Sequence, residues 1–280
     1  MKAFDIFYLR KLGLSNSQIR KIIDYEKGRG EEVLRNRLVV SGCKEPFDRL
    51  QKAKKLDPQA LRAEFHSFPS FVVDDSVYPA SLKEIYDPPL LLFYQGNLDL
   101  LQLPALAVVG SRMASPYGIQ AVSKIITELQ GKLAIVSGLA RGIDTAAHKA
   151  ALRAATPTIG ILGTGLGRVY PLENKRLQEY MGHHQLLLSE YGPQETAKPY
   201  HFPNRNRIIA GLSVAVLVAE AKVRSGSLIT ADRALESGRE IYAIPGSILL
   251  ESHEGCHQLL KEGARYVSCG LDILNDLKLT

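Results

Sequence analysis

The chain has 280 residues, 45% of them hydrophobic, and carries a net charge of +6. That is enough for one large domain with a small companion, and no apolar run nears the roughly 20 residues of a membrane helix, so no membrane partner is expected. The opening MKAFDIFYLRKLGLS lacks the long apolar core and small-residue cleavage site of a signal peptide, and Cys43, Cys256 and Cys269 are too scattered for a disulfide framework or a zinc site, so a cytoplasmic protein with free thiols is expected.

Residues 1–66 hold 15 Lys+Arg against 9 Asp+Glu and read as helical. Phe4, Phe7, Tyr8 and Leu12 recur at helical spacing. Ser15 and Gln18 fit a capping box that opens a second helix through Ile19, Ile22 and Ile23. Val33, Leu34 and Leu38 mark a third helix, Phe47, Leu50 and Leu56 a fourth, and Pro58 suits the first turn of a fifth. The stretch LRKLGLSNSQIRKII has the look of a helix-hairpin or SAM-like module. Basic helices of this kind attract polyanions, although a solvated charged face accounts for them equally well.

Residues 67–104 turn acidic, with 1 Lys+Arg against 5 Asp+Glu. Phe71–Val73 and Leu90–Tyr94 read as strands that lengthen a main sheet, with turns at Tyr78-Pro79 and Asp87-Pro88-Pro89. From Ala105 onward apolar runs alternate with helical stretches. The strand candidates are Ala105–Val109, Leu133–Val136, Thr158–Leu162, Leu186–Ser189, Val214–Val218, Glu240–Ile244 and Arg265–Val267. Such alternation predicts an α/β fold with a doubly wound, mostly parallel sheet over residues 67–280.

Chemistry gathers in residues 105–213, which hold 12 Lys+Arg against 6 Asp+Glu. Two strands each end in a small-residue loop with one arginine: Gly110-Ser111-Arg112, and Ser137-Gly138-Leu139-Ala140-Arg141-Gly142. Both loops lie at the same sheet edge and feed helices. Glycines that admit an anion, helix N-termini and arginine forks together predict a phosphate-binding shelf. The alternative is that the glycines only make tight turns. Farther on, Tyr200-His201-Phe202-Pro203-Asn204-Arg205-Asn206-Arg207 joins aromatic rings to two arginines, the combination that single-stranded nucleic acid uses. Pro203 places a helix start there, with Arg205 in the first turn.

Other motifs offer less. Gly163-Thr164-Gly165-Leu166-Gly167 is only part of a dinucleotide fingerprint, because its third glycine comes one residue early, and no cofactor is expected. Ser225, Gly226, Ser227 and Thr230 provide donors after another strand, beside Glu220. Glu220 reads as a partner for loop amides or, in the alternative, as a catalytic carboxylate. His148 is expected to orient a loop. No nucleophile elbow or metal spacing is present, so binding without catalysis is the expectation.

Taken together, VGSR (109–112), SGLARGID (137–144), AAH (146–148), GTGL (163–166), YPLEN (170–174), SEY (189–191), FPNRNRIIAGLS (202–213), SGSLITA (225–231) and PGS (245–247) resemble the DNA-processing protein A family, DprA or Smf. The resemblance runs from about Tyr78 to the C-terminus and departs from the family pattern at Gly167, Gly192 and His257. It implies an extended Rossmann-like fold with a SAM-like N-terminal domain. It also implies a homodimer that binds and protects incoming single-stranded DNA in natural transformation, helps to load the RecA recombinase, and has no established enzymatic activity. Carried over by residue, it implies a phosphate pocket of Ser111, Arg112, Gly138, Arg141, Lys175, Arg205 and Arg207, with Phe202 and Asn206 beside it. The rival reading is a nucleotide-processing enzyme on a related sheet, akin to the phosphoribohydrolases, with Glu220 as its carboxylate.

Overall fold

The computed structural model describes residues 1–279. Five helices come first: α1 (Ala3–Leu12), α2 (Asn16–Glu26), α3 (Leu34–Val40), α4 (Pro46–Lys55) and α5 (Pro58–His66). The capping box at Ser15 forms, with the Gln18 amide N–H donating to Ser15 Oγ at 3.3 Å and the Ser15 N–H donating to Gln18 Oε1 at 3.0 Å. Then follow β1 (Ser70–Val72), α6 (Ala80–Lys83), β2 (Leu91–Gly96), β3 (Ala105–Val109), α7 (Pro116–Glu128), β4 (Ala134–Ser137), α8 (Ile143–Arg153) and β5 (Thr158–Leu162). The chain continues through α9 (Lys175–His184), β6 (Leu186–Ser189), α10 (His201–Leu212), β7 (Ala215–Val218), α11 (Gly226–Glu236), β8 (Glu240–Ala243), α12 (Glu254–Lys261), β9 (Arg265–Tyr266) and α13 (Gly270–Asp276). None of the helices among the described residues is long and apolar enough to cross a membrane.

The strands form one sheet in the order β1-β2-β6-β5-β4-β3-β7-β8-β9. From β6 to β9 all neighbours are parallel, whereas β1 and β2 join antiparallel and lengthen the β6 edge. Helices cover both faces, so the central parallel strands β3 to β7 are buried along their whole length and mostly apolar. In β3, Ala105, Ala107 and Val109 enter the layer shared with α10, α11 and the N-terminal helices, while Leu106 and Val108 enter the layer of α7, α8 and α13. The strand order sets the site. From β3 the chain steps outward through β4, β5 and β6, then returns to place β7 on the other side of β3. The crevice outside the C-terminal ends of β3 and β7 is thus a topological switch point, where doubly wound sheets bind ligands.

α10 departs from the sequence expectation. It begins at His201, two residues before Pro203, and Pro203 falls in the first turn, where a missing N–H breaks no intrahelical bond. Arg205 therefore lies in the second turn.

The N-terminal helices share the sheet's apolar layer. Phe7 and Phe65 meet the ring of Phe93 edge-on, at centroid distances of 5.7 and 5.8 Å. Beside them a polar clamp closes on Glu190, just past β6. Its Oε1 accepts from Arg10 Nη2 at 2.7 Å, Asn16 Nδ2 at 2.8 Å and Arg207 Nη2 at 2.9 Å. Burial alone pushes this carboxyl up, but Arg10, Arg207 and Asn16 outweigh burial and hold it below its usual range.

Glu190→Gln is expected to cost about 3 kcal/mol at neutral pH, because it leaves the largely buried Arg10 without a counter-charge and Arg207 with only the more distant Asp87. Because the folded-state value is depressed, the clamp's contribution is present above the ordinary glutamate value of about 4.3 and is lost as pH falls through the folded value. Urea denaturation of both proteins at neutral pH and in acid should show the gap closing on acidification.

Candidate nucleic-acid interface

A cleft of about 860 Å³ opens at the switch point. One wall is the loop after β3, with Gly110, Ser111, Arg112 and Met113; the other is Lys222–Ser227 and the start of α11; α10 contributes Phe202, Arg205 and Asn206. The N-cap of α11, Ser225, makes no capping bond to the helix and pairs instead with Ser227 Oγ at 2.8 Å. The first turn of α11 therefore faces the cleft without a side-chain cap, an arrangement that favours an anion.

Arg205 forms the floor. It is 4% exposed, and its Nη1 donates to the carbonyl of Ile161 in β5 at 2.6 Å. Its path crosses Gly138, where a Cβ would overlap the guanidinium. Asp144 is buried nearby and accepts from the Gly138 and Ala140 amides at 3.2 and 3.3 Å. Burial pushes Asp144 up and Arg205 down, and each opposes the shift of the other; the like charge of Arg112 depresses Arg205 further. A guanidinium remains charged under such pressure. Among the described residues, Arg205 Nε is buried without a hydrogen-bond partner.

Arg112 stands at the rim. It is exposed, lies over the Phe202 ring at 5.2 Å from the centroid, and has no carboxylate partner among the described residues. Phe202 is held from below by Tyr170, at a centroid distance of 5.3 Å, and by Gly163, which leaves room for its edge. Ser111 braces the loop, donating its N–H to the Glu220 carbonyl at 2.7 Å and accepting at Oγ from the Met113 N–H at 3.1 Å. Asn206 donates to the Gly226 carbonyl at 3.2 Å and so ties α10 to the start of α11.

Ser111, Arg112, Phe202, Arg205 and Asn206 therefore meet in one cleft. Four expected residues, Gly138, Arg141, Lys175 and Arg207, do not join them, nor does Gly142 of the Gly138–Arg141 loop. Gly138 lies behind the cleft, its N–H held by Asp144, and it makes space for Arg205 rather than for a phosphate. Gly142 likewise serves internal packing, since its φ of 70° lets the α8 start press against the Ser111 carbonyl. Arg141 lines a neighbouring groove and forks onto Glu173. Lys175 is exposed at the start of α9, 3.8 Å from Glu179. Arg207 turns to the opposite side and is neutralised by Glu190 at 2.9 Å and Asp87 at 3.5 Å.

The facing wall was not among the expected site residues. Lys222, Arg224, Ser225, Ser227 and Thr230 line the cleft because β7 sits beside β3. Their signal in the sequence was the small-residue loop after a strand; what the sequence lacked was the strand order. Glu220 is 1% exposed, and its Oε2 accepts from Ser115 N at 3.0 Å and Ser115 Oγ at 2.9 Å, which fixes the loop that leads into α7. His148 is buried against Thr158 Oγ1 at 2.7 Å, and burial drives its imidazole down to about 3, so it is neutral.

This architecture has known counterparts. A family model described as DNA recombination-mediator protein A matches residues 70–278, and one described as the DNA processing protein A sterile alpha motif domain matches residues 1–61. The DNA processing protein DprA of Streptococcus pneumoniae is 52% identical over 276 residues, 98% of each chain, and its X-ray structure superposes with a TM-score of 0.94. DNA processing protein A from Helicobacter pylori, solved for its unique single-stranded DNA binding mode, is 29% identical with a TM-score of 0.67, over 75% of this chain and 96% of that one. A family model that spans the whole sheet, together with a relative matched almost end to end, makes this chain a member of the DNA recombination-mediator protein A family.

Proposed function

We propose that the chain is a non-catalytic protein of natural transformation that holds single-stranded DNA in the cleft between β3 and β7. The observation that carries this reading is the pairing of an unneutralised Arg112 over Phe202 with the buried Arg205 beneath. A cation at the rim and a cation at the floor suit a phosphate backbone, and the Phe202 ring beneath Arg112 holds the rim guanidinium in place. The single-stranded DNA binding of the Helicobacter pylori relative supports the same ligand. Ser111 and Asn206 hold the walls in place. Residues 1–66 act as a helical SAM-like domain and residues 67–280 as the DNA-binding domain.

The protein works in the cytoplasm, as a homodimer that passes the strand to the RecA recombinase. Exposed Tyr266 and Leu271 near the C-terminus suit a contact between copies. An enzymatic role for Glu220 fits poorly, because a carboxylate bound by an amide and a hydroxyl of Ser115 is a poor general base.

Fluorescence anisotropy with labelled oligothymidylate and with duplex DNA tests the reading. Single strands should bind more tightly, and Arg112→Ala should weaken them at least tenfold. It should also lower the slope of log K against log salt by about 0.7 for one lost phosphate. Equal affinity for duplex, or an unchanged slope, would count against it. Gly138→Ala carries a second expectation. The new methyl displaces Arg205, so this variant should lose affinity as Arg205→Ala does, although Gly138 itself touches no DNA.

A further inference from the structure

The cleft does not end at Arg112. The same side chain also lines a second groove of about 560 Å³ between α7 and α8, so the two depressions meet at one exposed guanidinium. On α8, Thr145, Lys149 and Arg153 are four residues apart and lie on one face, and Arg141 precedes them by one more turn. Glu173 is the acidic residue that lines this groove, and it is engaged by Arg141. Lys149 and Arg153 are exposed and have no carboxylate within ion-pairing distance among the described residues.

This placement is unfavourable for an isolated helix. Like charges at i and i+4 repel by a few tenths of a kcal/mol. The helix dipole accounts for Arg153, which lies in the last turn, but not for Lys149 in the middle. A polyanion laid along the groove would remove the repulsion. From Thr145 to Arg153 the helix rises about 12 Å, room for more than one backbone phosphate.

We propose that the groove between α7 and α8 is a second backbone-binding track, in which Lys149 and Arg153 hold phosphates of the same single strand whose neighbouring nucleotides occupy the cleft, with Arg112 as the junction. The proposal rests on the single-strand reading of the cleft. It adds a direction to it: the strand leaves the switch point over α8, away from the β7–β8 side. Binding along the track is electrostatic and indifferent to sequence, because no aromatic ring lines the groove to stack a base.

The test is a length series. Oligothymidylates of about 6 and about 20 nucleotides, bracketing common single-strand site sizes, are titrated against the full chain, the Lys149→Ala/Arg153→Ala double variant and Arg112→Ala at several salt concentrations. The double variant should bind the short oligonucleotide within twofold of the unmodified chain. It should bind the long one at least fivefold more weakly, with a salt slope lower by about 1.4 for two lost phosphates. Arg112→Ala should weaken both lengths. If Arg112→Ala weakens binding while the double variant matches the unmodified chain at every length, the track is wrong and the cleft stands. If the double variant weakens both lengths equally, the two residues belong to no separate track. If the unmodified chain binds neither oligonucleotide, the single-strand reading itself fails. Both substitutions are on exposed positions, and an unchanged urea midpoint would separate lost contacts from lost folding.

Discussion

A guanidinium removed from water at the reversal point of the sheet governs the geometry of the candidate site. Burying Arg205 is unfavourable by several kcal/mol unless counter-charge and hydrogen bonds replace its hydration. The fold supplies both: Asp144 from the start of α8, and the Ile161 carbonyl from the end of β5. Asp144 can serve only because the Gly138 and Ala140 amides hold its carboxylate, and Arg205 can reach only because Gly138 has no side chain. β4, β5, α8 and α10 are thus fixed relative to one another around one cation. A ligand phosphate that arrives at this floor meets a charge already positioned, with little ordering left to do.

The Glu190 clamp applies the same electrostatics to the other side of α10. Arg205 and Arg207 are two residues apart, and side chains at i and i+2 of a helix leave on different faces. One points to the switch point, the other to the junction with α1 and α2. Arg207 and Arg10 converge on a single buried carboxylate and bind the N-terminal helices to the end of β6, next to the cluster of Phe7, Phe65 and Phe93. The same short helix therefore serves both the cleft and the attachment of the N-terminal helices.

That divergence marks the boundary of what could be read in the sequence. The sheet was legible because strands buried on both faces are written as plain apolar runs, and the capping box at Ser15 and the turn at Pro58 are local chemistry. Strand order is not local. β3 and β7 are separated by about a hundred residues, so the Lys222–Thr230 wall could be seen as a loop but not as the opposite side of the Ser111–Arg112 loop. Counter-charges are not local either: Glu173 lies 32 positions from Arg141, and Glu190 lies 180 from Arg10. A glycine has the same letter whether it admits a phosphate or a neighbouring arginine, and at Gly138 only the packing distinguishes the two.

The charge balance of the middle segment is read differently once partners are assigned. Arg141, Lys175, Lys198 and Arg207 each face a carboxylate within ion-pairing distance, and beyond the segment Lys222 faces Glu251. Paired charges project little field into solvent, whereas unpaired ones attract a polyanion at a distance. What remains unpaired around the cleft and the adjoining groove, among the described residues, is Arg112, Arg224, Lys149 and Arg153, with Arg205 opposed by Asp144 beneath. These cations do not cover the surface evenly. They trace a line from the α11 side of the switch point, across Arg112, onto the face of α8. A flexible backbone with regularly spaced charges can follow such a bent line, whereas a stiff duplex would have to bend at an elastic cost.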